Sequence, residues 1–256
     1  MNERLDKLLL KAENGDVEAQ FLLGYIFQYG DDGEYTETID KHYVADVDLE
    51  LSEKWYLEAA KNNYVAAQYN LASLYEDMGA IKNNDYLSKA LHWYEKAAKL
   101  GDVRSQAYIA EIYEKGIFPD HKMEESIFWY KKAVENGWSY AKYKLAYYYA
   151  KGKFVEYDPS LALELYKQAA SEKVYSAMYE LARIYELGEW VEKDIENALS
   201  LYIESANISY IPSLLRLAKA YVLGELGLKV DRDKFLFYLE KAKLSDITID
   251  DISLEK

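Results

Sequence analysis

The chain has no cysteine among its 256 residues, only 3 proline and 3 histidine, and 12 glycine. Without cysteine there is no disulfide framework and no thiolate zinc site. The histidines, His42, His92 and His121, share no spacing that would set up a metal site, so no metal is expected. No apolar run reaches the 18 residues of a membrane-spanning helix, so no membrane contact is predicted. Met1–Lys7 mixes charges of both signs, which argues against a secretory leader and for a cytoplasmic location. Glycine-rich phosphate loops and nucleophile-elbow serines are absent as well, and no cofactor is expected. Asp31-Asp32-Gly33-Glu34 lacks the alternation of a calcium loop. These absences together argue against an enzyme.

Acid and tyrosine are abundant instead. The net charge is −14, which disfavours nucleic acid as a partner. Residues 31–50 hold eight acids against Lys41, and residues 244–256 hold four against Lys256. The remainder is close to balanced. Two readings of these acidic pieces stand side by side: solvated segments that aid solubility, or steering of a basic partner.

The 27 tyrosines are not scattered. Tyr56, Tyr94, Tyr130, Tyr166, Tyr202 and Tyr238 recur every 36 residues after a first step of 38, each preceded by Trp, Leu or Phe. Small residues follow three positions later, as in Ala59-Ala60, Ala97-Ala98 and Ala169-Ala170. A second motif runs small, aliphatic, aromatic at steps of four, then Gly, as in Ala141, Leu145, Tyr149, Gly152 and Ala177, Leu181, Tyr185, Gly188. Steps of four put these residues on one helical face, and the Gly suits a left-handed helix end. Asp48, Asp158 and Asp194 each stand eight residues before a repeated Tyr, and Asp158-Pro159-Ser160 is a helix start. A period in this range marks units that bury their apolar faces only by stacking, and it predicts a single elongated body.

The motifs Ala-x-x-x-Leu-Ala-x-x-Tyr-x-x-Gly (Ala141–Gly152, Ala177–Gly188), Asp-x-x-x-Ala-Leu (Asp194–Leu199) and Trp93-Tyr94 through Gly101 resemble the Sel1-like repeat, a relative of the tetratricopeptide repeat. The resemblance covers about residues 5–243. It implies an all-α, right-handed superhelical solenoid of about six helix-turn-helix repeats, with a concave groove lined by first helices. It also implies a non-catalytic adaptor or scaffold for protein partners. The expected repeats are 16–63, 64–101, 102–137, 138–173, 174–209 and 210–243, after an N-terminal capping helix in 1–15. An acidic insertion falls at 31–48, readable as a small β-hairpin or a loop, and an acidic tail at 244–256, readable as strand, helix or frayed end. Met78 stands where Gly would end a first helix, and Lys173 and Ser209 stand where Gly would follow second helices. Those ends are expected to be looser or capped in another way.

Counting from the small residue of each first helix, positions one before and two, six and nine after face the groove. This selects Tyr25, Tyr69, Glu76, Glu111, Glu114, Tyr140, Tyr143, Tyr147, Tyr179 and Arg183 as candidate partner-binding residues. Tyrosine offers a rigid ring and a hydroxyl at low entropic cost. The competing reading is that these rings only fill the core. The glutamates would meet Lys or Arg of a protein or peptide of basic or mixed charge, and Arg183 would take a carboxylate. Two alternatives differ in kind: an immunity protein neutralising a basic bacterial toxin, and a regulatory or structural subunit that stacks end to end.

Overall fold

A computed structural model describes residues 3–30, 46–81, 84–116 and 123–242. The insertion at 31–48, read as hairpin or loop, and the tail at 244–256 lie largely or wholly outside the described residues. The described residues form thirteen α-helices and no strand. α1 (Glu3–Glu13) precedes six helix pairs: α2 (Val17–Tyr29) with α3 (Leu49–Lys61), α4 (Val65–Ile81) with α5 (Asn84–Lys99), and α6 (Val103–Lys115) with α7 (Met123–Glu135). Then come α8 (Ser139–Lys151) with α9 (Pro159–Ser171), α10 (Tyr175–Leu187) with α11 (Ile195–Asn207), and α12 (Ile211–Leu223) with α13 (Arg232–Lys241).

The single body predicted by the period divides into two compact units, Met1–Asn136 and Gly137–Lys256. In a repeat array each hairpin touches only its neighbours, so an unbroken sequence period does not prevent such a division. Within each unit every helix packs on the next in the chain.

Local signals account for the helix boundaries. Asp48, Asp158 and Asp194 accept backbone N–H bonds at the starts of α3, α9 and α11, as their position predicts. Asp16, Asp102 and Asp231 do the same for α2, α6 and α13. Gly116, Gly152, Gly188 and Gly224 end first helices in the left-handed conformation. α4 has no such stop after Met78 and runs on to Ile81. Asn63, Lys173 and Ser209 hold left-handed φ values of 60°, 65° and 65° where other second helices are followed by glycine. Those ends are therefore capped in the usual geometry by residues that strain to adopt it.

The repeated tyrosines fill the space between helices. Tyr56, Tyr94, Tyr130, Tyr166 and Tyr202 are buried among alanines that are themselves fully covered, such as Ala67, Ala97, Ala133, Ala141 and Ala177. Small residues let the helices approach closely around each ring. Gly24 is the extreme case, since a Cβ there would lie 2.4 Å from the Tyr56 ring. α1 buries Leu5, Leu8 and Ala12 against Ala19, Leu23 and Ile26 of the first hairpin.

Candidate functional site

First helices carry the candidate residues, and their two-after positions form the base of the site. In the first unit the Tyr69 ring lies 5.7 Å from Tyr94, and the Arg104 guanidinium sits 3.9 Å over its face. In the second unit Tyr143 lies 6.1 Å from Tyr166, and Tyr179 lies 5.6 Å from Tyr202 and 6.0 Å from Tyr210. These rings are half-buried and serve packing and surface together. Tyr25 packs against Tyr29 at 4.8 Å. Tyr140 and Tyr147 reach furthest into solvent, each 38% exposed, with Tyr140 packed 5.5 Å from Tyr143.

The glutamates are engaged within the chain. Tyr94 donates its hydroxyl to Glu76 (3.2 Å), Tyr130 to Glu114 (2.6 Å) and Tyr202 to Glu186 (2.8 Å). Each phenol comes from the second helix and each carboxylate from the nine-after position of the first. Glu111 instead forms an exposed pair with Lys115 at 3.4 Å. Burial, reinforced by the neighbouring carboxylates, pushes the Tyr94 and Tyr202 phenols well above their ordinary range, so both remain donors. Burial also raises the Glu76 carboxyl, more than the Tyr94 bond lowers it. Glu186 ends below the ordinary range: burial pushes it up, but the Arg216 and Tyr202 hydrogen bonds and the Arg216 charge outweigh that.

Arg216 is a residue the sequence pattern missed. It grips Glu186 through two nitrogens, one at 3.1 Å, reaches Glu225 at 2.8 Å, and lies over the Tyr202 ring. It stands three positions after Ser213, outside the four positions counted as groove-facing.

Arg183 pairs with Glu180 at 3.0 Å and lines a pocket of about 390 Å³ in the second unit. Tyr147, Ala150, Tyr166, Glu180, Glu189 and Trp190 line it too, together with Lys151, Tyr157 and Ile184. The Trp190 indole N–H donates to the Tyr157 hydroxyl at 3.1 Å, joining two loops that helical periodicity does not describe. The structure thus brings Tyr147 and Arg183 to one pocket, and Tyr140 and Tyr143 to a neighbouring ring pair. The arrangement can bind through rings, phenols and ion-paired groups. Among the described residues no group of three or more His, Asp or Glu could hold a metal ion. Nor is any described helix long and apolar enough to cross a membrane.

The model of the Sel1 repeat matches at residues 17–38, 43–64, 65–102, 103–138, 139–174, 176–209 and 211–246. The first two matches together span about the first expected repeat and run into the insertion from both ends, leaving only 39–42 between them. Among solved structures, a Sel1 repeat protein from Oxalobacter formigenes is 29% identical with a TM-score of 0.75, over 91% of this chain and 88% of that one. A protective antigen of uropathogenic Escherichia coli is 26% identical with a TM-score of 0.78 over 95% of this chain, which spans about half (48%) of that protein. An immunity protein from Pseudomonas aeruginosa shares the fold at 18% identity and a TM-score of 0.53, over 93% of this chain and 83% of that one. No curated protein matches the chain.

Proposed function

The chain belongs to the Sel1 repeat family, whose members generally mediate protein–protein interaction, and from that premise we propose that it is a non-catalytic adaptor whose first helices bind a protein or peptide. The observation that carries this reading is the row of tyrosines in the second unit, where Tyr140 and Tyr147 project into solvent from a base of half-buried Tyr143 and Tyr179. Rigid aromatic anchors beside ion-paired groups suit a protein surface of mixed charge. In the first unit Tyr69, Arg104, Glu76 and Glu111 supply a smaller counterpart.

Exposed anchors can be removed without emptying the core, which makes a clean test. Tyr140→Ala combined with Tyr147→Ala should lose the protein that the wild-type chain captures from its source cells, identified by mass spectrometry, with the melting temperature unchanged. Capture that persists at the wild-type level sinks the reading. A narrower version is that the captured protein is a basic toxin which this chain neutralises. The net charge of −14, concentrated in 31–50 and 244–256, favours it. Binding that ignores salt, or a captured protein that is acidic, would dismiss that version.

A further inference from the structure

Two successive layers of the second unit can be compared position by position, because residues 36 apart are equivalent. One layer holds Tyr202, Glu186, Arg216 and Glu225, joined in that order by hydrogen bonds. The other has Tyr166, Ala150, Glu180 and Glu189 at the same places. Its phenol is present, while the carboxylate that receives the phenol has become a methyl group. The space left beside Ala150 belongs to the pocket, and Arg183 enters the same pocket from a different position. At Tyr94, Tyr130 and Tyr202 the chain supplies a glutamate to the buried ring's hydroxyl. Ala150 cannot do so. At the last hairpin Val222 occupies the corresponding place, and there the Tyr238 ring stacks on Tyr221 at 5.7 Å.

We propose that this pocket binds a carboxylate from outside the chain, set where Glu186 lies in the next layer, with the Tyr166 hydroxyl and the Arg183 guanidinium as its donors. Planar guanidinium groups hold carboxylates through paired N–H donors, and Arg183 commits one nitrogen to Glu180, leaving others. Lys151 adds a second cation to the lining, and Tyr147 and Trp190 supply apolar walls. Glu180 and Glu189 also line the pocket and oppose an anion. Glu180 is offset by its pair with Arg183, and the remaining repulsion makes the site weak and sensitive to salt. Burial and the nearby Glu180 charge keep the Tyr166 phenol protonated, as a donor must be.

The inference rests on the partner-binding reading only for the source of the carboxylate. Titrations followed by the NMR signals of the Trp190 indole and the Arg183 side chain separate the sources. The probes are an acetylated, amidated Gly-Glu-Gly, its Gln and Lys counterparts, Gly-Gly-Gly with a free C-terminus, and glutarate. The Glu peptide, the free C-terminus or glutarate should shift both signals, and the Gln peptide should bind about tenfold more weakly than its Glu parent. Ala150→Glu supplies the chain's own carboxylate, as in three other repeats, and should abolish the response with the fold retained. Tyr166→Phe keeps the ring and should weaken binding about tenfold. Binding of the Lys peptide alone, no carboxylate response, or a response unaffected by both substitutions overturns the proposal. Loss of partner capture in the Tyr140 and Tyr147 double variant, with no carboxylate response, removes the pocket and leaves the adaptor reading. A carboxylate response abolished by A150E, with capture indifferent to the tyrosines, does the reverse.

Discussion

The two units solve the same packing problem with different chemistry. In the first, Gln20, Gln68 and Gln106 follow the small residue of each first helix and donate their side-chain amides to the carbonyls of Ala12, Ala60 and Ala98. In the second, the equivalent residues are Lys142, Met178 and Leu214, and the last two are buried apolar side chains. Two of the three first helices of the first unit, α2 and α6, begin at Asp16 and Asp102, whose carboxylates cap them, while α4 follows Tyr64 and those of the second unit begin at Trp138, Val174 and Tyr210 with no side-chain cap. Conversely, the charged network of Glu186, Arg216 and Glu225 belongs to the second unit. Where Arg216 stands there, Tyr108 packs 4.6 Å from Tyr94 in the first. The first unit thus puts buried amides at its joints between hairpins, while the second adds a guanidinium to one of the Tyr–Glu pairs that both units carry.

Removing Arg216 should be the most damaging way to break this contrast. Arg216→Ala leaves Glu186 mostly covered and without its cation, and should cost about 2 kcal/mol, less than a fully buried pair because both side chains keep some solvent contact (14% and 19%). A loss below about 0.5 kcal/mol in denaturant unfolding would show the network to be ornamental. The acid responses should also oppose one another. The Glu76 carboxyl is raised, so as pH falls from 7 through the range above the ordinary glutamate value the folded state takes up its proton first and gains stability. Glu186 is lowered, so its contribution is complete above the ordinary value and is lost as pH falls through the lowered one. Glu76→Gln should therefore lose any advantage over wild type on acidification, and Glu186→Gln should recover part of its deficit. Melting-temperature differences that run in parallel would contradict the sign assigned to one of them.

Much of this architecture is legible in the amino-acid pattern, because it is local and periodic. The recurring Tyr, the alanine pairs, and Asp48, Asp158 and Asp194 mark helices and their starts, and each takes its expected role. Asp231 escaped because it precedes its Tyr by seven residues rather than eight. The division at Asn136 has no counterpart in the period, since compactness depends on which neighbours touch. The candidate face was half legible. Counting positions found Tyr147 and Arg183, yet Tyr157 and Trp190 lie in loops outside helical spacing. Ala150 looks like any alanine until Tyr166 is seen to need an acceptor. Arg216 faces Glu186 only because adjacent hairpins set its neighbour, a relation between repeats rather than within one.

A smaller effect should come from exchanging the ends of second helices. Gly101 holds φ of +94° with open space where a Cβ would go, so Gly101→Lys should cost about 1 kcal/mol from backbone strain alone. The reverse change in the second unit, Lys173→Gly, relieves φ of 65° but frees the unfolded chain, and its ion pair with Glu204 is exposed. It should stabilise by about 0.5 kcal/mol or less. Equal and opposite shifts would mean that the unfolded chain contributes little. A destabilised K173G would mean that the Glu204 pair outweighs the strain.

The least disruptive change bears most directly on whether the two packing solutions are interchangeable. Gln68 is fully buried, and its Oε1 has no hydrogen-bond partner among the described residues, nor has the Oε1 of Gln20. Gln106 differs, for Asn136 donates to its Oε1 at 2.9 Å. Gln68→Met places the side chain of Met178 at the equivalent joint. The change removes an amide bond to Ala60 O of 3.1 Å, but that carbonyl keeps the Asn63 backbone N–H at 3.1 Å. It also removes an unsatisfied buried oxygen, whose desolvation costs about 1–3 kcal/mol. These opposing effects should leave stability within about 1 kcal/mol of wild type. Gln106→Met strands the Asn136 amide and should be the worse of the two. If Q68M unfolds the first unit instead, the amide fixes the angle between hairpins, and the apolar joint of the second unit cannot stand in for it.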